Sequence, residues 1–183
     1  DSSWQPVTLP HAFNEDEAFR VHIKELTDTV VWYRKHFHLP NSDKGKKLFI
    51  EFEGVHFAAE VYLNGTFIGL HENGVMAFGF DISSNINYDG DNVLAIRVDN
   101  SWNYHEKSTN STFQWNNKNF NANYGGIPKN VFLHVTGSVY QTLPLYSDLK
   151  TTGTYIYASD FDIKKREAVI HAESEIKNEA PTP

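Results

Sequence analysis

The sequence contains no cysteine among its 183 residues. Disulfide bonds and thiolate metal ligands are therefore excluded, whereas oxidising and reducing compartments both stay possible. Basic residues are also few, 16 against 23 acidic ones, which gives a formal net charge of −7. Because no run of lysine and arginine is present that could follow a phosphate backbone, we expect no nucleic acid partner.

Long apolar runs are missing as well. No stretch reaches the roughly 18 consecutive apolar residues of a membrane-spanning helix, and the N-terminus lacks the basic-then-apolar layout of a signal peptide. We therefore expect no membrane partner. The localisation stays open, with a periplasmic or extracellular setting favoured over a cytoplasmic one.

What the chain does contain is apolar residues, at 40% of the total, arranged with a period of two. Residues 29–39 read TVVWYRKHFHL and residues 46–55 read KKLFIEFEGV. In the first stretch Val31, Tyr33 and Phe37 share one face, while Trp32 lies on the other. Alternation of this kind is typical of β-strands.

Residues 58–83, AAEVYLNGTFIGLHENGVMAFGFDIS, raise the question of a site or a turn. The Asn64-Gly65 pair between two alternating segments is a strong signal for a β-hairpin. The next polar group, His71, Glu72 and Asn73, precedes Gly74. Since Asn and Gly tolerate positive φ angles, we interpret these three as turn residues rather than as a catalytic site.

Two further alternating segments lie at 89–100 and 131–137. At least seven strands at short spacing, without an amphipathic helix of three turns, predict an all-β fold, a sandwich or jelly roll. The alternation restarts at 153–158 and 167–177. We therefore predict a jelly-roll domain over 1–138, a linker at 139–148 and an incomplete β domain at 149–183.

The alternation stops between Asp99 and Tyr124, in a segment rich in asparagine and aromatic residues. A loop of that length inside a compact domain is usually functional. Aromatic rings stack on the C–H faces of sugars, and planar amide or carboxylate groups bind hydroxyls. The segment therefore fits carbohydrate recognition, although its aromatics could equally serve to hold the loop on the sandwich.

Other chemistry has weaker support. Glu51 and Glu53 share a strand face, but residues so placed are usually solvated, and no catalytic residue is assigned. His36 and His38 form an H-x-H pair without a third ligand at a diagnostic spacing, so neither a metal nor a cofactor is expected. Gly125-Gly126 fits a backbone that needs positive φ or a close approach.

Six segments together resemble the N-terminal sugar-binding domain of glycoside hydrolase family 2, the β-galactosidase and β-glucuronidase group. They are WQPVTLPHAF (4–13), WYRKHFHLP (32–40), FEGVHFAAEVYLNGTFIGLHENG (52–74), FGFDIS (78–83), NVLAIRVDNSW (92–102) and NYGGIPKNVFLHVT (123–136). The resemblance implies a galactose-binding-domain-like jelly roll, followed by the start of an immunoglobulin-like sandwich. It departs at Pro128 and Lys129, where many members have an aromatic residue and an arginine.

The resemblance also implies a function. In this family the catalytic glutamates lie on a later (β/α)₈ barrel, so the chain would be a non-catalytic domain that supports the barrel and contributes a loop to the substrate pocket. Its partners would be that barrel and, through the parent enzyme, a β-linked carbohydrate. The substrate-binding candidates are Asp99 and Asn100 first, then Trp102, Trp115, Asn116 and Tyr124.

Two other functions stay open from the sequence. A stand-alone carbohydrate-binding module would share the fold and the aromatic loops. A purely structural or oligomerisation domain would make no direct contact with sugar. A homo-oligomer is possible in each case, because the incomplete second domain would leave strand edges that can pair with another copy.

Overall fold

The computed structural model describes residues 3–74, 76–112 and 123–181, and the regular secondary structure of this part is mainly β-strand. Its strands are β1 His11–Ala12, β2 Val30–Phe37, β3 Lys47–Phe52, β4 Ala58–Leu63, β5 Thr66–Glu72, β6 Phe78–Asp81, β7 Asn92–Asp99, β8 Gly126–Ile127, β9 Val131–Thr136, β10 Val139–Gln141, β11 Thr154–Asp162, β12 Glu167–Ser174 and β13 Ile176–Asn178. Short 3₁₀ helices span Glu15–Phe19, Ile23–Glu25, Asn41–Asp43 and Ser83–Asn85. The prediction of an all-β fold is confirmed.

Two antiparallel sheets form a sandwich. The first has the strand order β2-β7-β4-β5 and the second the order β6-β3-β9. The alternation seen in the sequence sets their faces, because Val31, Tyr33 and Phe37 of β2 pack against the core while Trp32 is exposed. No helix among the described residues is long and apolar enough to cross a membrane.

The core lies between the two sheets. Leu48 and Phe52 of β3 are fully buried there, as are Val61 of β4 and Val98 of β7. The rings of Phe52 and Phe78 stack with centroids 4.8 Å apart. Burying a side chain of this size contributes about 1.5–3 kcal/mol, so alternating apolar residues account for the closure of the sandwich.

The hairpin between β4 and β5 turns at the predicted place. Asn64 and Gly65 have φ angles of 52° and 80°. Both positive values match a turn whose twist suits the two strands, which is why Asn-Gly is favoured there. The Asn64 side-chain amide also donates to the backbone carbonyl oxygen of Asn85 and to Oδ1 of Asn92, both at 2.9 Å.

The interpretation of His71 and Glu72 as turn residues is wrong. Both close strand β5, and His71 pairs in register with Ala59. That register directs His71 into the core, where it is 6% exposed and stacks on Phe78 at 4.1 Å. Sequence alone placed the turn too early because the imidazole ring can take an apolar position in a strand.

The C-terminal strands form two antiparallel pairs, β10 with β13 and β11 with β12. They are held on the sandwich by the Tyr140 ring, 5.3 Å from Phe49, and by the Lys47 ammonium, 2.9 Å from a Glu179 carboxylate oxygen. Within 139–148, the range predicted as a linker, lie strand β10 and the fully buried Leu145. The domain boundaries and the immunoglobulin-like nature of this unit stay predictions.

Candidate functional site

The long loop begins at one end of the sandwich. Strand β7 ends there at Asp99, and Ala58 at the start of β4 pairs in register with both Asp99 and Glu72. Three strand ends therefore meet at the point where the loop departs. An end of this kind can present loop side chains to a ligand while the sheets fix their position.

Two buried asparagines close the base of this loop. The side-chain amide of Asn123 donates to the Asn100 carbonyl oxygen at 2.5 Å, and that of Asn100 donates to the Asn123 carbonyl oxygen at 3.3 Å. Asn100 Oδ1 also accepts from the Thr29 backbone N–H at 2.8 Å. Because the two residues stand at opposite ends of the loop, these bonds fix the separation of its ends.

A third buried asparagine joins the N-terminal segment to this base. The Asn14 amide donates to the carbonyl oxygens of Thr27 at 2.8 Å and Asn123 at 2.7 Å, and its Oδ1 accepts from the Gly125 N–H at 3.0 Å. Asn14 and Asn100 have no exposed surface, and Asn123 is 1% exposed. Buried amides satisfied in this way specify one arrangement of the loops.

His56 completes the buried cluster. Its Nε2–H donates to Asn123 Oδ1 at 2.8 Å, and desolvation by burial lowers the pKa of the imidazole, partly offset by that hydrogen bond. The ring lies so close to the main chain that a Cβ at Gly74 would meet His56 Nδ1 at 2.2 Å. His56 is therefore a neutral, structural histidine at neutral pH.

The Gly125-Gly126 pair has the backbone role predicted for it. Gly126 has a φ of 136°, in the region that favours glycine. A Cβ at Gly125 would meet the Asn100 side-chain amide at 2.3 Å. The chain therefore needs glycine at position 125 to bring Asn123 against Asn100, and at position 126 for the positive φ angle.

Asp99 is 9% exposed and carries several contacts. Its Oδ2 lies 3.3 Å from the Arg97 guanidinium, and its Oδ1 accepts from the Ser101 backbone N–H at 3.1 Å and hydroxyl at 2.6 Å. These bonds turn the chain sharply as it leaves β7. The carboxylate is thereby held in one orientation, as an acceptor for a ligand hydroxyl would have to be.

The first part of the loop folds back over the outer face of the four-stranded sheet. The Tyr104 hydroxyl donates to Glu72 at 2.5 Å, and Lys107 reaches Glu60 with its ammonium at 2.7 Å. Desolvation by burial and the hydrogen bond to Glu72 raise the pKa of Tyr104 well above its ordinary value. The Lys107 hydrogen bond lowers the pKa of Glu60, so this carboxylate is not suited to act as a proton donor at neutral pH.

The remaining predicted site residues are not gathered at one point. The Trp102 backbone N–H donates to Asp28 at 3.1 Å, which fixes that residue just past Asp99. Tyr124 is 38% exposed and lines a separate hollow of about 330 Å³ with Phe19 and Glu15. Trp115 and Asn116 lie outside the described residues.

The histidines considered as metal ligands and the glutamates considered as a catalytic pair make other contacts in the structure. Within the described ranges, no group of three or more His, Cys, Asp or Glu side chains could hold a metal ion. His36 and His38 both face Asp91. Glu51 pairs with His134 at 2.7 Å, and Glu53 accepts from the Asn130 amide at 2.8 Å.

Sequence reasoning missed the residues that organise this end of the sandwich. Asn14, His56 and Asn123 carry the buried network, yet none had been predicted as functional. The available signal was the position of Asn123, directly before the Tyr-Gly-Gly-Ile segment at the loop end. A polar residue beside a pair of glycines that permit close backbone approach is a candidate for such a buried contact.

Comparisons with known proteins agree on one group. Residues 8–135 match the family model described as glycosyl hydrolase 2 galactose-binding domain-like. The chain is 41% identical over 186 residues to a β-glucuronidase of Formosa agariphila, covering 98% of this chain and 19% of the relative. It is 31% identical over 188 residues to a β-galactosidase of Bacteroides ovatus, covering 100% and 19%.

Solved structures give the same grouping. A β-glucuronidase from glycoside hydrolase family 2 superposes with a TM-score of 0.83 at 38% identity, covering 98% of this chain and 19% of that one. The Bacteroides uniformis β-glucuronidase superposes with a TM-score of 0.76 at 26% identity, covering 99% and 20%. The chain thus spans about a fifth of the length of these relatives.

Proposed function

The chain belongs to glycoside hydrolase family 2, and we propose that it serves as the non-catalytic sugar-binding-type domain of a retaining β-glycosidase. The observation that carries this proposal is the agreement of sequence and of fold, each over 98% of the chain, with β-glucuronidases of which it covers only 19%. In this proposal a catalytic (β/α)₈ barrel belongs to the same polypeptide. The domain supports that barrel and contributes a loop to its substrate pocket.

The carboxylates of the described residues support a non-catalytic role. Retaining hydrolysis needs a nucleophile and a protonated acid about 5 Å apart. The hydrogen bond from Lys107 and the nearby Arg97 lower the pKa of Glu60, which favours its ionised form. Among the carboxyl groups of the described residues, Asp148 has a raised pKa, of about 6. Its side chain faces His71.

The loop that leaves Asp99 is the part proposed to reach the substrate pocket. Its two ends are fixed by the Asn100 and Asn123 pair, and its carboxylate at Asp99 is oriented by Arg97 and Ser101. We assign substrate contact to Asp99, Trp102 and Tyr124, together with Trp115 and Asn116 of the loop. Asn100 is included from the sequence, although its buried amide is bound to the backbone of Thr29 and Asn123 and does not reach outward.

The test compares two polypeptides made from the same gene, the 183-residue chain and the longest open reading frame that contains it. Both are assayed with 4-nitrophenyl β-glucuronide and 4-nitrophenyl β-galactoside. We expect turnover of at least one substrate by the longer polypeptide and none by the 183-residue chain. The proposal would be contradicted by turnover with the repurified short chain. It would also be contradicted if the longer polypeptide contains no barrel with two spaced glutamates.

A further inference from the structure

The outer face of the four-stranded sheet carries a row of aromatic rings. Trp32 of β2 lies 5.7 Å from Tyr62 of β4, and Tyr62 lies 5.4 Å from Phe67 of β5, measured between ring centroids. Ala95 of β7 is the register partner of Tyr62 between these strands, and its small side chain lets the rings meet across it. Trp32 is 48% exposed and Phe67 is 53% exposed.

A cleft of about 470 Å³ adjoins this row at the edge of the sheet. Its lining includes Trp4, Gln5, Trp32, Arg34 and His36. The Arg34 guanidinium lies 4.3 Å from the centre of the Trp4 ring, which holds the cation in place by a cation–π contact. Aromatic walls with a few convergent polar groups are the usual composition of a small-ligand site.

Arg34 is the group of this surface that favours an anionic ligand. Among the residues that the structure describes, no carboxylate forms a salt bridge with Arg34, and its side chain is exposed. Arg97, the next outward arginine of the same sheet, is by contrast neutralised by Glu60 at 3.6 Å and Asp99 at 3.3 Å. A guanidinium recognises a carboxylate through two parallel hydrogen bonds, so Arg34 offers the chemistry of a carboxylate receptor.

The angles between the rings exclude one kind of ligand. The planes of Trp32 and Tyr62 differ by 39°, and those of Tyr62 and Phe67 by 61°. Rings that turn in this way cannot lie flat on a crystalline polysaccharide, which would need coplanar faces. They can follow a single soluble chain whose successive sugars rotate about their linkages.

We propose that this surface, made of Trp4, Trp32, Arg34, Tyr62 and Phe67, binds a soluble glycan chain that carries uronate groups. The rings stack on the C–H faces of successive sugars, and Arg34 pairs with a uronate carboxylate. The surface goes beyond the proposed function, because its residues belong to the outer sheet face and need no catalytic barrel. It would keep the polysaccharide near the enzyme between cleavage events.

The test is a titration of the 183-residue chain followed by NMR amide shifts. The ligands are two β-linked uronate hexasaccharides, one from hyaluronan and one from polymannuronate, and the carboxyl-reduced form of the first. We expect saturable shifts around Trp32, Arg34 and Phe67. Trp32→Ala should weaken binding of every hexasaccharide at least about fivefold, whereas Arg34→Gln should reduce uronate binding to that of the carboxyl-reduced ligand.

Phe132→Ala serves as the matched control, since Phe132 is 43% exposed on strand β9 of the other sheet. Its binding should equal that of the wild type. Absence of saturable shifts with both uronate hexasaccharides would overturn the proposal. So would shifts confined to residues 99–112, or equal losses in Trp32→Ala and Phe132→Ala. The titration uses the 183-residue chain without a barrel. The outcome of this experiment is therefore independent of whether the longer polypeptide hydrolyses a glycoside.

Discussion

Asp148 and His71 face each other in the interior, with an Asp148 carboxylate oxygen 4.0 Å from His71 Nδ1. Asp148 belongs to the segment that follows β10, and His71 belongs to the sandwich, so the pair joins the two parts of the chain. Their side chains are 11% and 6% exposed. Burial raises the pKa of Asp148 to about 6, partly offset by a hydrogen bond from the Gly79 backbone, and lowers the pKa of His71.

The first prediction concerns pH and Asp148. Because its folded-state pKa of about 6 lies above the ordinary value of 3.8, its contribution to stability is complete below pH ~4 and is lost as the pH rises through 6. The loss is at most about 3 kcal/mol. Asp148→Asn should therefore gain free energy of unfolding relative to the wild type between pH 5 and 8, measured by urea denaturation.

Asp89→Asn is the control for that experiment, since Asp89 is exposed and should give a curve parallel to the wild type. His71 acts in the opposite direction, because its lowered pKa makes its contribution complete above about pH 6.5 and smaller in acid. We expect His71→Phe, which keeps the stacking on Phe78, to be less sensitive to acid. Parallel curves for Asp148→Asn and Asp89→Asn would refute the assignment.

The second prediction concerns the base of the loop. Asn123→Ala leaves the His56 imidazole N–H and the Asn100 carbonyl oxygen without their buried partners. We expect a loss of at least about 2 kcal/mol in the free energy of unfolding, since each such group costs about 1–3 kcal/mol. Hydrogen exchange should also become faster in residues 101–112. Asn41→Ala, in an exposed 3₁₀ helix, should change neither quantity.

The third prediction separates contact with sugar from structural support within the proposed enzyme. In the longer polypeptide, Asp99→Asn should lower kcat/KM about tenfold, because a hydrogen bond to a charged acceptor is worth about 1.5–3 kcal/mol. Asn100→Ala should instead lower the melting temperature, with activity falling in step. Full activity in Asp99→Asn at unchanged stability would remove Asp99 from the substrate site.

The fourth prediction concerns the hairpin of β11 and β12. Among the strands that the structure describes, these two pair only with each other, and Ile156, Ile170 and Phe161 are more than 60% exposed. Unpaired strand edges with apolar residues promote association. We expect the 183-residue chain to dimerise in light scattering and Ile156→Lys to return it to a monomer. A wild-type monomer with strong exchange protection across 154–174 would contradict this expectation.

Sequence alone determined the strands and their local geometry. Alternation of apolar residues predicted β2, β3 and β7, because a strand presents successive side chains to opposite faces. Apolar residues at every second position therefore indicate the face that is buried. The turn at Asn64-Gly65 followed from the same local logic, since few other pairs accept two positive φ angles. Such features need only neighbouring residues to be read.

Tertiary structure decided which polar residues meet. Asn14, Asn100 and Asn123 come from distant parts of the chain, and their contact depends on where β7 ends and on how closely Gly125 lets the backbone approach. The burial of His71 depends on its register against Ala59. Such contacts depend on which strands pair. The alternation of residues identifies a strand but does not indicate which other strand it pairs with.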